Sequence, residues 1–233
     1  MLNLEPKILL YALLGGILPA ILWLWFWLKE DSKKPEPRGL LTISFLAGMA
    51  GVLVVFPLEK LAYDNLSTKL LPLIISWAFI EEFIKYLSLY YVDLKSRYFD
   101  EPVDALIYII TIALGFAALE NVLFIIKPLQ SGEVITGLLT GHFRFMGATL
   151  LHIVASGSMG IAIGLSFYKS RFIKRLYTFV GIIVAVLLHT LFNFFIIKSD
   201  GQLTFTILSV LWIAVVILFL FFEKIKRIKN PIT

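Results

Sequence analysis

The sequence predicts an all-α protein, a polytopic bundle of about seven membrane-spanning helices. Three observations lead there. Of the 233 residues, 59% are hydrophobic and only 16% charged, and the mean hydropathy is +0.90, well outside the range of soluble domains. Apolar runs long enough to cross a bilayer recur along the chain, with short polar segments between them. The basic residues fall in those segments with an alternating bias, which is how topology is encoded. The net charge of +5 is thereby accounted for, so the partner expected is the lipid bilayer, with no nucleic acid. The location that follows is the cell membrane, as a multi-pass protein. Zero cysteines exclude disulfide frameworks, thiolate metal sites and cysteine nucleophiles together.

The first run, Ile8 to Leu28, is too long for a signal-peptide core and has no small-residue cleavage motif, so it is read as a retained span. Lys29 to Gly39 is the most polar segment and holds two prolines; it is a linker. The second run spans Leu40 to Pro57 and the third Leu70 to Val92. Asp100-Glu101-Pro102 opens the fourth, Val103 to Ile126, and acids ahead of a proline in the first turn predict that Asp100 and Glu101 cap it. Glu133 to Phe145 is expected to form an interfacial helix whose His142 and Arg144 face headgroups or solvent. Thr149 to Tyr168, Leu176 to Ile197 and Leu203 to Phe222 complete the set. Gly15, Gly16, Gly48, Gly51, Gly157, Gly160 and Gly164 predict close helix contacts. Pro19 and Pro57 are kink or end residues. The whole chain, 1–233, reads as one membrane domain with a functional core at about 70–197.

The segments after the first, third, fifth and seventh runs hold 14 Lys and Arg, among them Lys29, Lys33, Lys34 and Arg38, against 6 in the others. The N-terminus is therefore expected outside and the C-terminus in the cytoplasm.

The third run carries Glu81, Glu82 and Lys85 in its middle. A charge at the centre of a membrane helix costs at least about 2.5 kcal/mol, so three need partners. Helical spacing lets the Lys85 ammonium reach both carboxylates, and two acids against one base leave one carboxylate in surplus. The other strongly polar groups inside the spans are Glu120, Asn121, His152, His189 and Asn193. With the predicted topology and the rise of an α-helix, Glu81 lies roughly 17 Å below the outer boundary, Glu120 roughly 9 Å, His152 roughly 5 Å, His189 roughly 12 Å and Asn193 roughly 6 Å. All fall in the outer half of the bilayer, whereas unrelated packing contacts would scatter through both halves.

Such a convergence supports two mechanisms of amide hydrolysis. In one, Glu81 or Glu82 takes a proton from water while His and Asn donate to the oxyanion. In the other, His152, His189 and a glutamate hold a divalent metal such as zinc, with the water in its open position. A third reading, from a different class, is a proton- or ion-coupled transporter that uses the buried Glu and His residues as a relay. The chain has neither the inverted repeat nor the paired broken spans that point to that architecture.

Glu81-Glu82-Phe83-Ile84-Lys85, then Asp100-Glu101-Pro102-Val103-Asp104 leading to Gly115-Phe116-Ala117-Ala118-Leu119-Glu120-Asn121, then His152, then His189-x-x-x-Asn193, together resemble the PrsW intramembrane proteases. These are relatives of the CAAX-prenyl proteases and bacteriocin-processing enzymes. The wider superfamily has Arg where this chain has Lys85, one residue further on, and the prenyl-protease relatives have His where it has Glu120; both departures fit the PrsW branch. The resemblance implies an endopeptidase that cuts a single-span membrane protein, of the anti-sigma-factor kind, near the outer face. It implies Glu81 as general base, Glu82 as supporting acid, His189 and Asn193 as oxyanion donors, and His152 as the group that orients water or substrate. Glu120 would do the same or act as a ligand, so a metal, if bound, is expected on Glu120, His152 and His189. Lys85 and Asn121 are expected to support the site.

Overall fold

The computed structural model describes residues 5–30, 34–199 and 202–229; Lys33, counted above among the linker charges, lies outside them. Among the described residues the chain is helical, without strands. Helix α1 spans Pro6–Glu30, α2 Arg38–Leu66, α3 Leu70–Val92, α4 Asp104–Gln130, α5 Val134–Phe143, α6 Thr149–Leu165, α7 Arg171–Lys198 and α8 Thr204–Ile225. A five-residue π turn, Arg144–Ala148, joins α5 to α6, so Val134–Leu165 is one continuous rod of 32 residues. Six rods are long and apolar enough to cross a membrane. The remaining one, α3, is 23 residues long and differs by carrying three charges in its middle.

Helix α4 is the axis of the bundle. Every residue from Asp104 to Ala118 is buried, as expected of a helix that is apolar all round. Glycines let its neighbours come close. A Cβ on Gly48 of α2 would lie 2.0 Å from the Ile112 carbonyl oxygen, and one on Gly115 of α4 would lie 1.9 Å from that of Phe45, so α2 and α4 touch backbone to backbone. Gly16 brings α1 onto Val122, and Gly160 brings α6 onto Leu106, in the same way. Without a hydrophobic driving force between helices in lipid, such contacts supply much of the association energy.

Three local expectations are corrected. Helix α2 does not end at Pro57 but runs on to Leu66. Asp100 and Glu101 do not cap α4: Asp104 Oδ2 accepts their backbone N–H groups at 2.8 and 2.7 Å, and their own carboxylates pair with Lys34 at 2.5 and 3.2 Å. Residues 133–145 are no separate interfacial helix, because the π turn carries them straight into the fifth span.

Buried polar groups also gather at the end of the bundle opposite the Glu81 region. Tyr108 donates to Glu36, and Ser44 donates to Asp93 Oδ1 at 2.6 Å, while Asp93 Oδ2 is buried without a hydrogen-bond partner. Burial pushes Asp93, which caps the C-terminus of α3, up from 3.8 to about 7, against the opposing pull of the Ser44 hydrogen bond.

Two predictions follow from this scaffold. Gly115→Ala places a methyl group where the Phe45 carbonyl stands, and the misfit should cost about 1–3 kcal/mol. Thermal unfolding in detergent should show the loss, with Gly39→Ala, whose Cβ meets nothing within 4 Å, unchanged. Because folding raises the Asp93 pKa, the folded state keeps a proton that the unfolded chain gives up. Stability should therefore fall as pH rises from 3.8 to about 7, by at most about 4 kcal/mol, and stay level above that window. Asp93→Asn should flatten this dependence in melts recorded across the same range.

Candidate active site

The strongly polar residues of α3, α4, α6 and α7 meet in one cluster. Glu82 is its best-satisfied member. Its Oε1 accepts from Lys85 Nζ at 2.7 Å and lies 2.9 Å from His189 Nδ1, and its Oε2 accepts from Ser156 Oγ at 2.7 Å. Lys85 Nζ also lies 2.8 Å from His152 Nδ1 and 3.5 Å from Glu81 Oε2, with the Phe116 ring 4.3 Å away. His152 Nε2 lies 2.9 Å from Glu120 Oε2, and Arg144 Nη2 donates to the same oxygen at 2.6 Å. Arg144 Nε donates to Asn121 Oδ1 at 2.6 Å, and Asn121 Nδ2 donates to Thr149 Oγ1 at 3.0 Å.

Glu81 is held differently from the other acids. Its carboxylate lies 3.8 Å from His152 Nδ1 and 3.8 Å from His189 Nε2, so with Lys85 all these contacts are 3.5 Å or longer. The surplus acid expected from the charge count is thus Glu81, facing one nitrogen of each imidazole. Glu81, Glu82, Lys85, His152 and His189 are all 5% exposed or less. Glu120 and Arg144, with side chains 15% and 16% exposed, form the more open edge.

Asn193 follows His189 by one turn of α7 and makes no hydrogen bond to the cluster among the described residues. It lines a neighbouring cavity of about 310 Å³ with Arg144, Gly147, Phe192 and Leu208. His142 remains exposed, as expected.

Arg144 is the residue whose role the spacing concealed. Eight residues separate it from His152, which in a regular α-helix leaves the two about 80° apart. The π turn between them absorbs roughly one residue and turns Arg144 onto the face of His152, where both reach Glu120 Oε2. Ser156 and Thr149 were also missed, since single hydroxyls on a glycine-rich helix resemble packing residues. No alternation or motif in the sequence marks the π turn.

The donor chemistry fits a divalent metal. Glu81, His152 and His189 each offer a ligand atom, and these atoms all lie within 4.8 Å of one another. Each imidazole has its other nitrogen against a carboxylate, His189 on Glu82 and His152 on Glu120, the outer arrangement that orients metal-binding histidines. The acid in this group is Glu81, where the sequence reading had placed Glu120. The reason is that Arg144 and His152 Nε2 already occupy Glu120 Oε2.

A bundle of lipid-length helices closing around two imidazoles and paired carboxylates defines a multi-pass membrane hydrolase. The chain belongs to the PrsW family of intramembrane metalloproteases, whose family model matches residues 36–222. It is 25% identical to Protease PrsW of Geobacillus kaustophilus, with 80% of each chain covered. It is 27% identical to Protease PrsW of Clostridioides difficile over 77% of this chain and 76% of that one. Against Protease PrsW of Halalkalibacterium halodurans it is 26% identical over 86% and 91%. No solved structure matches significantly. The protein is therefore a membrane protease, and the transporter reading is not favoured.

Lys85 carries the charge balance of this site. Lys85→Met would strand Glu82 as a buried unpaired anion and should destabilise the protein by about 3–5 kcal/mol. Adding Glu82→Gln should restore most of that loss, and detergent melts of the single and double variants measure both effects.

Proposed function

We propose that this protease cleaves a peptide bond of a single-span membrane protein near the outer face of the membrane, using water activated at Glu81. The observation that carries the reading is the arrangement of Glu81, a carboxylate without a short partner, between His152 Nδ1 and His189 Nε2. The alternating basic residues support an outside N-terminus and a cytoplasmic C-terminus, and that orientation places the cluster in the outer half of the bilayer. An anti-sigma-factor-like substrate, anchored by one helix, suits a cut at that depth.

Glu81, His152 and His189 are the residues that would hold a metal such as zinc. When bound, the metal would polarise the scissile carbonyl and lower the pKa of a bound water. Glu81 has two carboxylate oxygens, so one serves as ligand atom and the other accepts the proton of the attacking water. Glu82 and Glu120 fix the rotation of the two imidazoles through His189 Nδ1 and His152 Nε2. Arg144 and Asn193, facing the same cavity, supply donors to the substrate carbonyl as it becomes an oxyanion. The apolar shell around the cluster excludes bulk water and strengthens each of these interactions.

Glu81→Gln keeps the shape of the side chain and removes the base. Cleavage of a co-reconstituted single-span substrate should fall about 10²- to 10⁴-fold. A variant that cleaves at the wild-type rate would overturn the assignment. Stoichiometric zinc in the purified wild-type protein, lost together with activity on chelation and restored by zinc, is the matching result for the metal.

A further inference from the structure

Two of the three candidate metal-binding residues have an outer carboxyl partner, Glu82 for His189 and Glu120 for His152. The third, Glu81, has one as well. Glu59, near the C-terminal end of α2, brings its carboxyl group within hydrogen-bonding reach of the Glu81 carboxyl. The approach is built into the backbone. Trp77 Nε1, one turn before Glu81 on α3, donates to the Glu59 carbonyl at 3.0 Å. The Trp77 ring also stacks on Tyr63, one turn beyond Glu59, with centroids 6.5 Å apart and planes at 11°. The continuation of α2 beyond Pro57 is what carries Glu59 to this position.

We propose that Glu59 is a positioning residue that holds Glu81 toward the two imidazoles through a side-chain hydrogen bond. Glu81 needs such a restraint because its contacts to Lys85, His152 and His189 are 3.5, 3.8 and 3.8 Å. The Lys85 ammonium would otherwise draw it away from the histidines, since Lys85 sits between the two acids. Outer hydrogen-bond partners of metal-binding side chains set their orientation, and losing one typically costs 10- to 100-fold in metal affinity or activity. The inference rests on the reading of Glu81, His152 and His189 as the donor set. It concerns a donated hydrogen bond, which an amide can make as well as a carboxyl group.

The test compares Glu59→Gln with Glu59→Met in the full-length protein in detergent, with zinc alone as the probe and a chromophoric chelator as competitor. Glu59→Met, which fills the space without a donor, should weaken zinc about 10- to 100-fold, whereas Glu59→Gln should bind it as the wild type does. Thermal melts confirm that both variants are folded, and since Glu59 is only partly buried neither change opens a core cavity. Wild-type zinc affinity in Glu59→Met, or equal losses in both variants, would overturn the proposal. Glu81→Gln separates the two levels of reading. If it loses zinc while Glu59→Met keeps it, the inference about Glu59 fails alone; if the wild type or Glu81→Gln shows that zinc binding does not involve Glu81, the metal reading fails and takes this inference with it.

Discussion

The structure depends on one electrostatic constraint: charges buried at membrane depth must be paired among themselves. Desolvating an ion costs several kcal/mol even after relaxation, and the cluster meets that cost unevenly. Glu82 is bonded by Lys85, His189 and Ser156, and Glu120 by Arg144 and His152. Both are fully engaged. Glu81 receives only long contacts from Lys85 and the imidazoles, so the acid least stabilised as a structural anion is the one left free for a proton or a cation. The same pairing explains why α3 can lie within a bundle of lipid-length helices despite three charges.

Pairing at distances of 2.6–2.9 Å requires that four helices hold their positions, and the glycine contacts on α4 provide this. Gly48 and Gly115 bring the backbones of α2 and α4 into contact, while Gly160 seats α6 on the same axis. Glu120 and Asn121 project from α4 and His152 from α6, so the registry of these contacts is also the registry of the site. A bundle packed through flexible side chains alone would let these distances drift.

Much of this was legible in the sequence, for physical reasons. Apolar length identifies spans because an exposed backbone polar group is intolerable in lipid, and six of the seven expected spans satisfy length and apolarity together. Glu81, Glu82, Lys85, Glu120, His152 and His189 stood out because charge in an apolar run needs a reason. What was not legible depended on three-dimensional phase. Arg144 looked like a headgroup contact because no residue pattern announces a π turn. Glu59 and Asp93 lay outside or at the ends of the expected spans and read as boundary residues. Asp104 was placed in the first turn correctly, but the direction of its hydrogen bonds, back to Asp100 and Glu101, is set by the loop conformation.

The closure of the site bears on how water and substrate reach it. Glu82, Lys85, His152 and His189 are sealed by α3, α6 and α7, and the partly exposed members Glu59, Glu120 and Arg144 come from α2, α4 and the π turn. On that side a cavity of about 520 Å³ opens between Phe56 of α2, Phe124 of α4 and Thr140 of α5, with Lys127 and Glu133 on its wall. Arg144 closes the edge, with its guanidinium 4.0 Å from the centre of the Phe124 ring. A segment that adds backbone there must supply partners for any groups it displaces. Arg144 can exchange a protein carboxylate for a substrate carbonyl only if Glu120 keeps His152 as its other partner. The shared oxygen Glu120 Oε2, bonded by both, is what makes that exchange possible without leaving a bare charge in the membrane.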